Sequence, residues 1–503
     1  MSTSKGIKNV AFGLLSQMLT LAVGIIIPRL VLVNLGSEAN GLLNSVGNIL
    51  AYMSLLEAGV GTATLQALYK PCAVADHDST NSIMAATDYF YRRTGKIYLA
   101  IVIILSVVYT FIVQSELPRI DVFIVVLLSG LSGVLSYFFQ GKLKIFLSAE
   151  GKTYVNTNIV TIVNIGTSIT KAILLYIGYG VVAVQVSAFC FALLQMAVYF
   201  IYIRRHYPWL NVKAKPNFDA ISQRNSVLVH QISGFVFSNT DVLLLTIFTS
   251  LKEVSVYSMY TMIYGMVKSL AIVLYNSYTY ALGQTYNTDR ARFFRMFDAF
   301  EVMTMMITFS LYCICRVMVN PFLQLYTSGV NDIRYVDTYL PWLFSIFYLL
   351  HNGRTSSGIA IEIAQHFSQT KWRSIFESVI NVTVSLVCVY KFGIYGVLMG
   401  TIAALLYRTN DMIIYAAKIL GRSCWITYRR WLLNMGVFGI LSIVFKNFKI
   451  TANDYLDLFV CAVTVSVVTV FGFIVINVVF ERNTAYYILN ILKNSLKKAF
   501  RRR

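Results

Sequence analysis

Six cations interrupt apolar stretches of the sequence at positions that would lie at membrane depth: Arg29, Lys171, Lys268, Arg316, Arg354 and Arg408. A cation at the centre of a membrane helix costs roughly 2.5 to 3.5 kcal/mol on insertion scales, so these side chains must face protein or water. Arg29, Arg316 and Arg408 lie near the ends of their stretches, from which a long side chain reaches the interface. The other three are the stronger candidates for a site that binds an anion.

Polar residues recur at helical spacing around these cations. At about 100° per residue, a face about 80° wide contains His351, Arg354, Gly358, Glu362 and Gln365. A second face of about the same width contains Thr157, Thr161, Asn164, Ser168 and Lys171, and a third contains Gln17, Thr20 and Gly24. Polar faces from both halves of the chain predict one shared cavity. Its predicted binding residues are Arg354, Lys171, Lys268, Asn164, Ser168, Gln17 and His351.

The alternative is that these charges form structural pairs between helices. Arg354 would then pair with Glu362 or Glu57, and Lys268 would pair with Asp241. A single Asn or Thr in a membrane helix also joins helices more often than it binds a ligand. Because cations outnumber acids within the apolar stretches, the set as a whole favours an anionic ligand.

The composition defines the class of protein that must hold these residues. Of 503 residues, 57% are hydrophobic and only 13% are charged, and the mean hydropathy is +0.66. Continuous apolar runs, long enough to cross a core of roughly 30 Å, favour helices over the short alternating strands of a barrel. The sequence predicts an all-α polytopic membrane protein with about fourteen transmembrane helices. The predicted spans are 9–33, 41–69, 97–115, 121–141, 154–178, 180–203, 226–250, 255–284, 297–325, 339–366, 375–391, 394–418, 431–448 and 455–480.

The positive charges predict the orientation. If the N-terminus is cytoplasmic, 30 of the 42 Lys and Arg fall on the cytoplasmic side and six on the other. This bias is about fivefold, so both termini should be cytoplasmic. The net charge of +20 is therefore first a topology signal. Nucleic acid is not a predicted partner, since the cations are spread over many loops and not over one face.

An internal repeat appears when the sequence is shifted by about 214 to 217 residues. NIGTS at 164–168 then meets NVTVS at 381–385, and GYGV at 178–181 meets GIYGV at 393–397. Six membrane crossings return the chain to the side on which it started. Two six-helix lobes would therefore both begin on the same side and form a parallel repeat around a central cavity. The predicted divisions are an N-terminal lobe over 1–205, a linker over 206–224, a C-terminal lobe over 225–420, and two extra helices with a basic tail over 421–503.

Three segments resemble the polysaccharide flippases of the multidrug, oligosaccharidyl-lipid and polysaccharide exporter superfamily. Residues 33–70 look like the first hairpin of that family, with Leu35-Gly36, Gly41-Leu42, Gly59 and Gly61 in the expected order. NTDVLLLTIFTSLKEVSVYSMY at 239–260 resembles the opening of its second lobe, and FGIYGVLMGTIAA at 392–404 resembles its twelfth helix. The resemblance covers about the first 420 residues.

The resemblance implies a function. It implies a flippase that moves an undecaprenyl-diphosphate-linked oligosaccharide from the cytoplasmic to the outer leaflet of the bacterial inner membrane, for O-antigen or lipopolysaccharide synthesis. The substrate and membrane lipid would be its partners, with a polysaccharide polymerase and chain-length proteins as further ones. Glu362, Asp241 and Glu57 are the candidates for binding a coupling proton or Na⁺. A lipid II flippase and an ion-coupled drug exporter of the same superfamily remain alternatives.

Motifs for catalysis are absent from the sequence. It contains no P-loop, no HExxH and no nucleophile elbow, so we predict neither an enzyme nor a cofactor or metal. A membrane polysaccharide polymerase is the more remote alternative. Such enzymes usually carry a sizeable domain outside the membrane, whereas no loop here exceeds about 28 residues on the predicted spans.

Overall fold

The computed structural model of the protein describes residues 3–53, 60–221, 235, 239–364, 366–447 and 452–490. These residues contain helices and no β-strand, which confirms the all-α polytopic fold. Nine of the described helical segments are long and apolar enough to cross a membrane. The predicted spans 41–69 and 226–250 lie partly outside the described residues.

The helices follow one another with short connections. In chain order they are α1 (Thr3–Met53), α2 (Val60–Ala73), α3 (His77–Ile112), α4 (Arg119–Leu135), α5 (Gly141–Ala149), α6 (Thr153–Ile177), α7 (Val181–His206), α8 (Asn239–Phe248), α9 (Leu251–Thr288), α10 (Arg290–Tyr326), α11 (Leu340–Gly353), α12 (Thr355–Ile363), α13 (Phe367–Phe392), α14 (Ile394–Leu420), α15 (Trp425–Asn447) and α16 (Tyr455–Phe480). A π-helical turn, Ser136–Gln140, joins α4 to α5.

The helices form two compact units. The first contains Met1–Ser258 together with Gly329–Ile333, and the second contains Met259–Ser328 and Arg334–Arg503. The division falls within α9 and not at the predicted linker over 206–224. The two six-helix lobes around a cavity therefore stay a prediction.

In the first unit, α1 is broken at Gly36 and packs against α6 and α4. Gly36 has φ of 81°, which glycine adopts without steric cost. At the break, the Ser37 amide donates to Asp332 Oδ2 at 2.8 Å and the Ser37 hydroxyl donates to Oδ1 at 2.6 Å. After the break, a Cβ at Gly41 would lie 1.8 Å from the carbonyl oxygen of Leu251, so only glycine fits there.

The second unit packs α13 against α14, and α11 against both α10 and α14. A Cβ at Gly400 would lie 2.1 Å from Ser385 Oγ, so this glycine of α14 lets α13 approach closely. The predicted span 339–366 is not one helix, because α11 ends at Gly353 and α12 begins at Thr355.

The last two helices are attached to α10 by a group of ionic side chains, here called the terminal charge network: Asp298, Glu301, Arg422, Arg429, Arg430 and Glu481. Glu301 is fully buried and bonds both Arg422, at 2.8 Å, and Arg430. Asp298 accepts from the same two arginines at 2.8 Å each. Three acids and three arginines balance, which is the condition under which charges are tolerated in a buried site.

Beyond the network, an amide pair joins α15 to α16. Asn477 Nδ2 donates to Asn434 Oδ1 at 3.0 Å, and Asn434 Nδ2 returns a bond to Asn477 Oδ1 at 3.4 Å. Both side chains are buried. A reciprocal pair of this kind sets the register of two apolar helices, whose side chains otherwise pack in many ways.

Candidate functional site: a cation cluster in the second unit

The second unit gathers several charged side chains of α9, α11, α13 and α14, and we call this group the cation cluster: Lys268, His351, Arg354, Arg373, Glu377, Arg408 and Asp411. Lys268 Nζ lies 2.9 Å from His351 Nε2. The charge of Arg354 also acts on both of these groups. The structure thus brings together Lys268, His351 and Arg354, three of the residues that the sequence predicts to bind substrate.

Arg354 is held at the junction between α11 and α12. Next to it, a Cβ at Gly353 would lie 2.4 Å from the ring of Trp431, so glycine is required for this packing. On the preceding turn, Asn352 donates to the hydroxyl of Tyr312 at 2.6 Å. These contacts fix the end of α11, and with it the position from which the guanidinium of Arg354 extends.

Two carboxylates hold the arginines of the cluster in place. Arg354 Nη1 donates to Glu377 Oε1 at 2.7 Å, and Arg408 Nε lies 3.5 Å from the other oxygen of Glu377. Arg408 also donates to Asp411 at 2.5 Å, and Asp411 accepts from Arg373 as well. The side chains of Arg354 and Glu377 are only 14% and 8% exposed. Such charge-assisted bonds orient guanidinium groups firmly.

The cluster has more positive than negative charge. It contains Lys268, Arg354, Arg373 and Arg408 against Glu377 and Asp411. With four cations and two carboxylates, the formal excess is about two positive charges. In a weakly solvated site this excess attracts an anion, and planar guanidinium forks suit phosphate oxygens.

Glu362 does not pair with Arg354, although the structural alternative named it as one possible partner. Its side chain is exposed on α12, and Arg354 pairs with Glu377. The break at Arg354 interrupts the helical periodicity that placed Glu362 and Arg354 on one face. Gln365, the last member of that predicted face, lies outside the described residues.

The predicted binding residues of the first unit lie on α1 and α6. Asn164 is exposed on α6, and Ser168 donates to its backbone carbonyl at 2.7 Å. Lys171 is partly buried one turn further along, and no carboxylate of the described chain pairs with it. Gln17 is exposed on α1, where its neighbour Ser16 hydrogen-bonds Thr161 of α6 at 2.6 Å.

Of the acids predicted to bind a coupling ion, Asp241 is the one with a defined buried position. It lies in α8 of the first unit, and Tyr257 donates to its Oδ2 at 2.7 Å. The partner of Lys268 in the structure is His351, whereas the structural alternative expected Asp241. Glu57 lies outside the described residues.

Sequence reasoning missed both carboxylates of the cation cluster, and also a buried pair in the first unit. Lys142 follows the π-helical turn and bonds Asp88 of α3 with both side chains largely buried. On the predicted spans, Lys142 lies just beyond the span 121–141, outside the membrane helices. The pairing could not be predicted from sequence spacing, because Lys142 and Asp88 lie on different helices.

The helices are arranged as in several solved membrane proteins. The chain is similar in structure to the lipid II flippase MurJ in an inward closed conformation, with a TM-score of 0.70 and 12% identity over 94% of this chain and 99% of that one. It is also similar to an inward-facing multidrug resistance MATE family transporter of the MOP superfamily, with a TM-score of 0.63 and 12% identity over 82% and 98%.

A further solved structure has the same fold. The MATE multidrug transporter DinF-BH in complex with R6G matches with a TM-score of 0.53 and 12% identity, over 83% of this chain and 96% of that one. No protein-family model matches the sequence, and no curated protein matches it significantly. At these identities the likeness establishes the fold, and the substrate has to be argued from the residues of this chain.

Proposed function

We propose that the protein is a flippase that moves an undecaprenyl-diphosphate-linked oligosaccharide from the cytoplasmic to the outer leaflet, for the synthesis of a cell-surface polysaccharide such as O-antigen. The observation that carries the proposal is the excess of cations over carboxylates in the cation cluster. The fold, similar to that of a lipid II flippase, supports it. The protein would act in the bacterial inner membrane with both termini in the cytoplasm, together with a polymerase and chain-length proteins.

The diphosphate would bind at Arg354, Lys268 and His351. Arg354 already offers one N–H to Glu377, and a planar guanidinium has five donors, so the others remain for phosphate oxygens. Glu377 and Asp411 hold the arginines in place before the ligand arrives, which lowers the ordering cost of binding. Lys171, Asn164, Ser168 and Gln17, all in the first unit, stay proposed substrate-binding residues.

Transport would proceed by alternating access, coupled to an ion gradient through an acid. A site with excess positive charge holds an anionic head group strongly, and release therefore needs a change of charge. Protonation or Na⁺ binding at Glu362, Asp241 or Glu57 would supply one unit of charge, and the membrane potential adds roughly 2.3 kcal/mol per charge per 100 mV. The exposed carboxylate of Glu362 is accessible for such a role.

The test is flipping of a fluorescent lipid-linked oligosaccharide in proteoliposomes under imposed pH, Na⁺ and voltage gradients. R354Q and K171Q should each reduce the rate by at least about tenfold, as expected for loss of a charge-assisted contact of about 1.5 to 3 kcal/mol. K213Q, which removes an exposed loop cation, is the matched control and should flip normally. Full activity of both R354Q and K171Q contradicts the anion site. A flipping rate that is the same with and without each imposed gradient contradicts the coupling to an ion gradient.

The same vesicles separate the alternatives. Fluorescent lipid II in place of the oligosaccharide tests whether the protein is a lipid II flippase, and a cationic dye tests whether it exports drugs. We expect no dye transport, because the cation cluster repels a positively charged ligand. A change in polysaccharide chain length during incubation would instead indicate the polymerase.

A further inference from the structure

A second cationic site lies in the second unit, in a cleft between α10, α11 and α15. Its described lining includes Arg316, Asn320, Trp342, Phe445 and Lys446, and none of its described residues is acidic. The guanidinium carbon of Arg316 lies 3.7 Å from the centre of the Trp342 ring. The cleft shares no residue with the cation cluster.

Arg316 is prepared to bind a ligand by its stacking. The ring occupies one face of the guanidinium, whereas the N–H donors lie in the plane of the group and are not used by the stacking. Nε of Arg316 is buried and has no hydrogen-bond partner in the described part of the chain. Burying such a donor without a partner is costly, so the described part of the chain does not satisfy the hydrogen-bonding capacity of this arginine.

A second cation and a lipid-facing surface define the ligand. Lys446, at the end of α15, lines the same cleft, and no carboxylate among the described residues pairs with it. On the turn before it, Ile443 and Val444 are 63% and 40% exposed, as expected of a helix face in contact with lipid tails. This exposed apolar face continues to the rim of the cleft at Lys446, so a lipid that lies along it has its head group next to the cations.

We propose that this cleft binds the phosphodiester head group of an anionic membrane lipid. Arg316 would donate in-plane hydrogen bonds to the phosphate oxygens, and Lys446 would add a point charge from the rim. The acyl chains would lie along the exposed face of α15. The proposal is independent of the transported substrate, so it is testable even if the protein carries a different cargo.

The experiment uses quenching of Trp342 by brominated lipids. The full chain is reconstituted in phosphatidylcholine vesicles that contain either brominated phosphatidylglycerol or brominated phosphatidylcholine, and the Trp342 signal is taken as the difference from W342F. Since one cation near an anionic lipid gives a preference of about fivefold, brominated phosphatidylglycerol should be the clearly better quencher. K446Q should weaken this preference and R316Q should abolish it.

Two controls make the outcome decisive. R316K keeps the charge and should retain part of the preference, which separates loss of binding from misfolding. R334Q removes an exposed cation from the loop before α11 and should leave the preference unchanged. Equal quenching by the two lipids in the wild type overturns the proposal. So does a saturable response of Trp342 to inorganic phosphate in pure phosphatidylcholine vesicles, because it would assign the cleft to a soluble anion.

Discussion

Replacing Glu301 by Gln removes one negative charge from the centre of the terminal charge network and keeps the size of the side chain. Glu301 accepts from Arg422 at 2.8 Å, from Arg430, and from the hydroxyl of Thr427 at 2.8 Å. The amide cannot neutralise either arginine. The variant therefore leaves one uncompensated positive charge at a position where wild-type Glu301 is fully buried.

The loss of stability expected for E301Q follows from the burial of Glu301. Removing one partner of a buried ion pair costs about 3 to 5 kcal/mol. Arg430 keeps Asp298 and Glu481 as partners, and Arg422 keeps Asp298, so the lower end applies. We expect E301Q to lower the free energy of unfolding by about 3 kcal/mol, which is a shift of about a hundredfold in the equilibrium.

Asp298 provides the matched control. It bonds the same two arginines as Glu301, but its side chain is 36% exposed, whereas that of Glu301 is 0% exposed. Water therefore screens the charge that D298N leaves behind, and exposed pairs contribute only about 0 to 1 kcal/mol. Both substitutions remove a carboxylate from the same two arginines; Glu301 is the more buried of the two and also accepts from Thr427.

The free energy of unfolding is measured by chemical denaturation in detergent micelles, followed by tryptophan fluorescence. E301Q should be clearly less stable than D298N, and the double variant E301Q/R422Q should recover part of the loss because it restores neutrality. Equal stability of E301Q and D298N would refute the reasoning, since burial would then have no effect on the cost.

Three further outcomes are expected. G41A should lose at least about 3 kcal/mol of stability because its Cβ meets a backbone carbonyl at 1.8 Å, whereas G47A, with nothing within 4 Å, should lose none; unfolding in detergent compares them. Burial raises the pKa of Glu481, but hydrogen bonds and charge from the arginines of α15 outweigh it and hold the pKa below the ordinary glutamate value. Its stabilisation is complete above that ordinary value and is lost as pH falls through the lowered pKa, so the thermal midpoint should fall in acid and E481Q should fall less. An introduced thiol at Asn331 should react with an impermeant reagent from outside intact cells and one at Lys213 should not; the reverse pattern contradicts the proposed orientation.

The fold class could be predicted because the bilayer leaves few choices. Continuous apolar runs of this length must be helical, so composition and run length were sufficient. The breaks were harder to predict. The interruption of α11 at Arg354 contains no proline, and the neighbouring Gly353 packs against Trp431, which lies far away in the sequence. Such contacts leave no periodic signal.

The candidate site was predictable in part. Lys268, His351 and Arg354 stood out because charges inside apolar runs are rare, and the structure brings them together. Their partner Glu377 did not stand out, since it lies near the polar start of its helix, 23 residues beyond Arg354. Which face of α13 turns toward α11 is decided by close packing with α14, and one sequence does not contain that information.

The terminal charge network also has a consequence for biosynthesis. A ribosome makes Glu301 121 residues before Arg422 and 129 before Arg430. Glu481, which bonds Arg430, is made after α16, the most apolar span of the described chain. Until Arg422 is made, Glu301 of α10 lacks both of the arginines that pair with it in the folded protein. We expect the nascent chain to recruit a chaperone or to keep α10 near the translocon during this interval, and a chain truncated before Arg422 to be degraded.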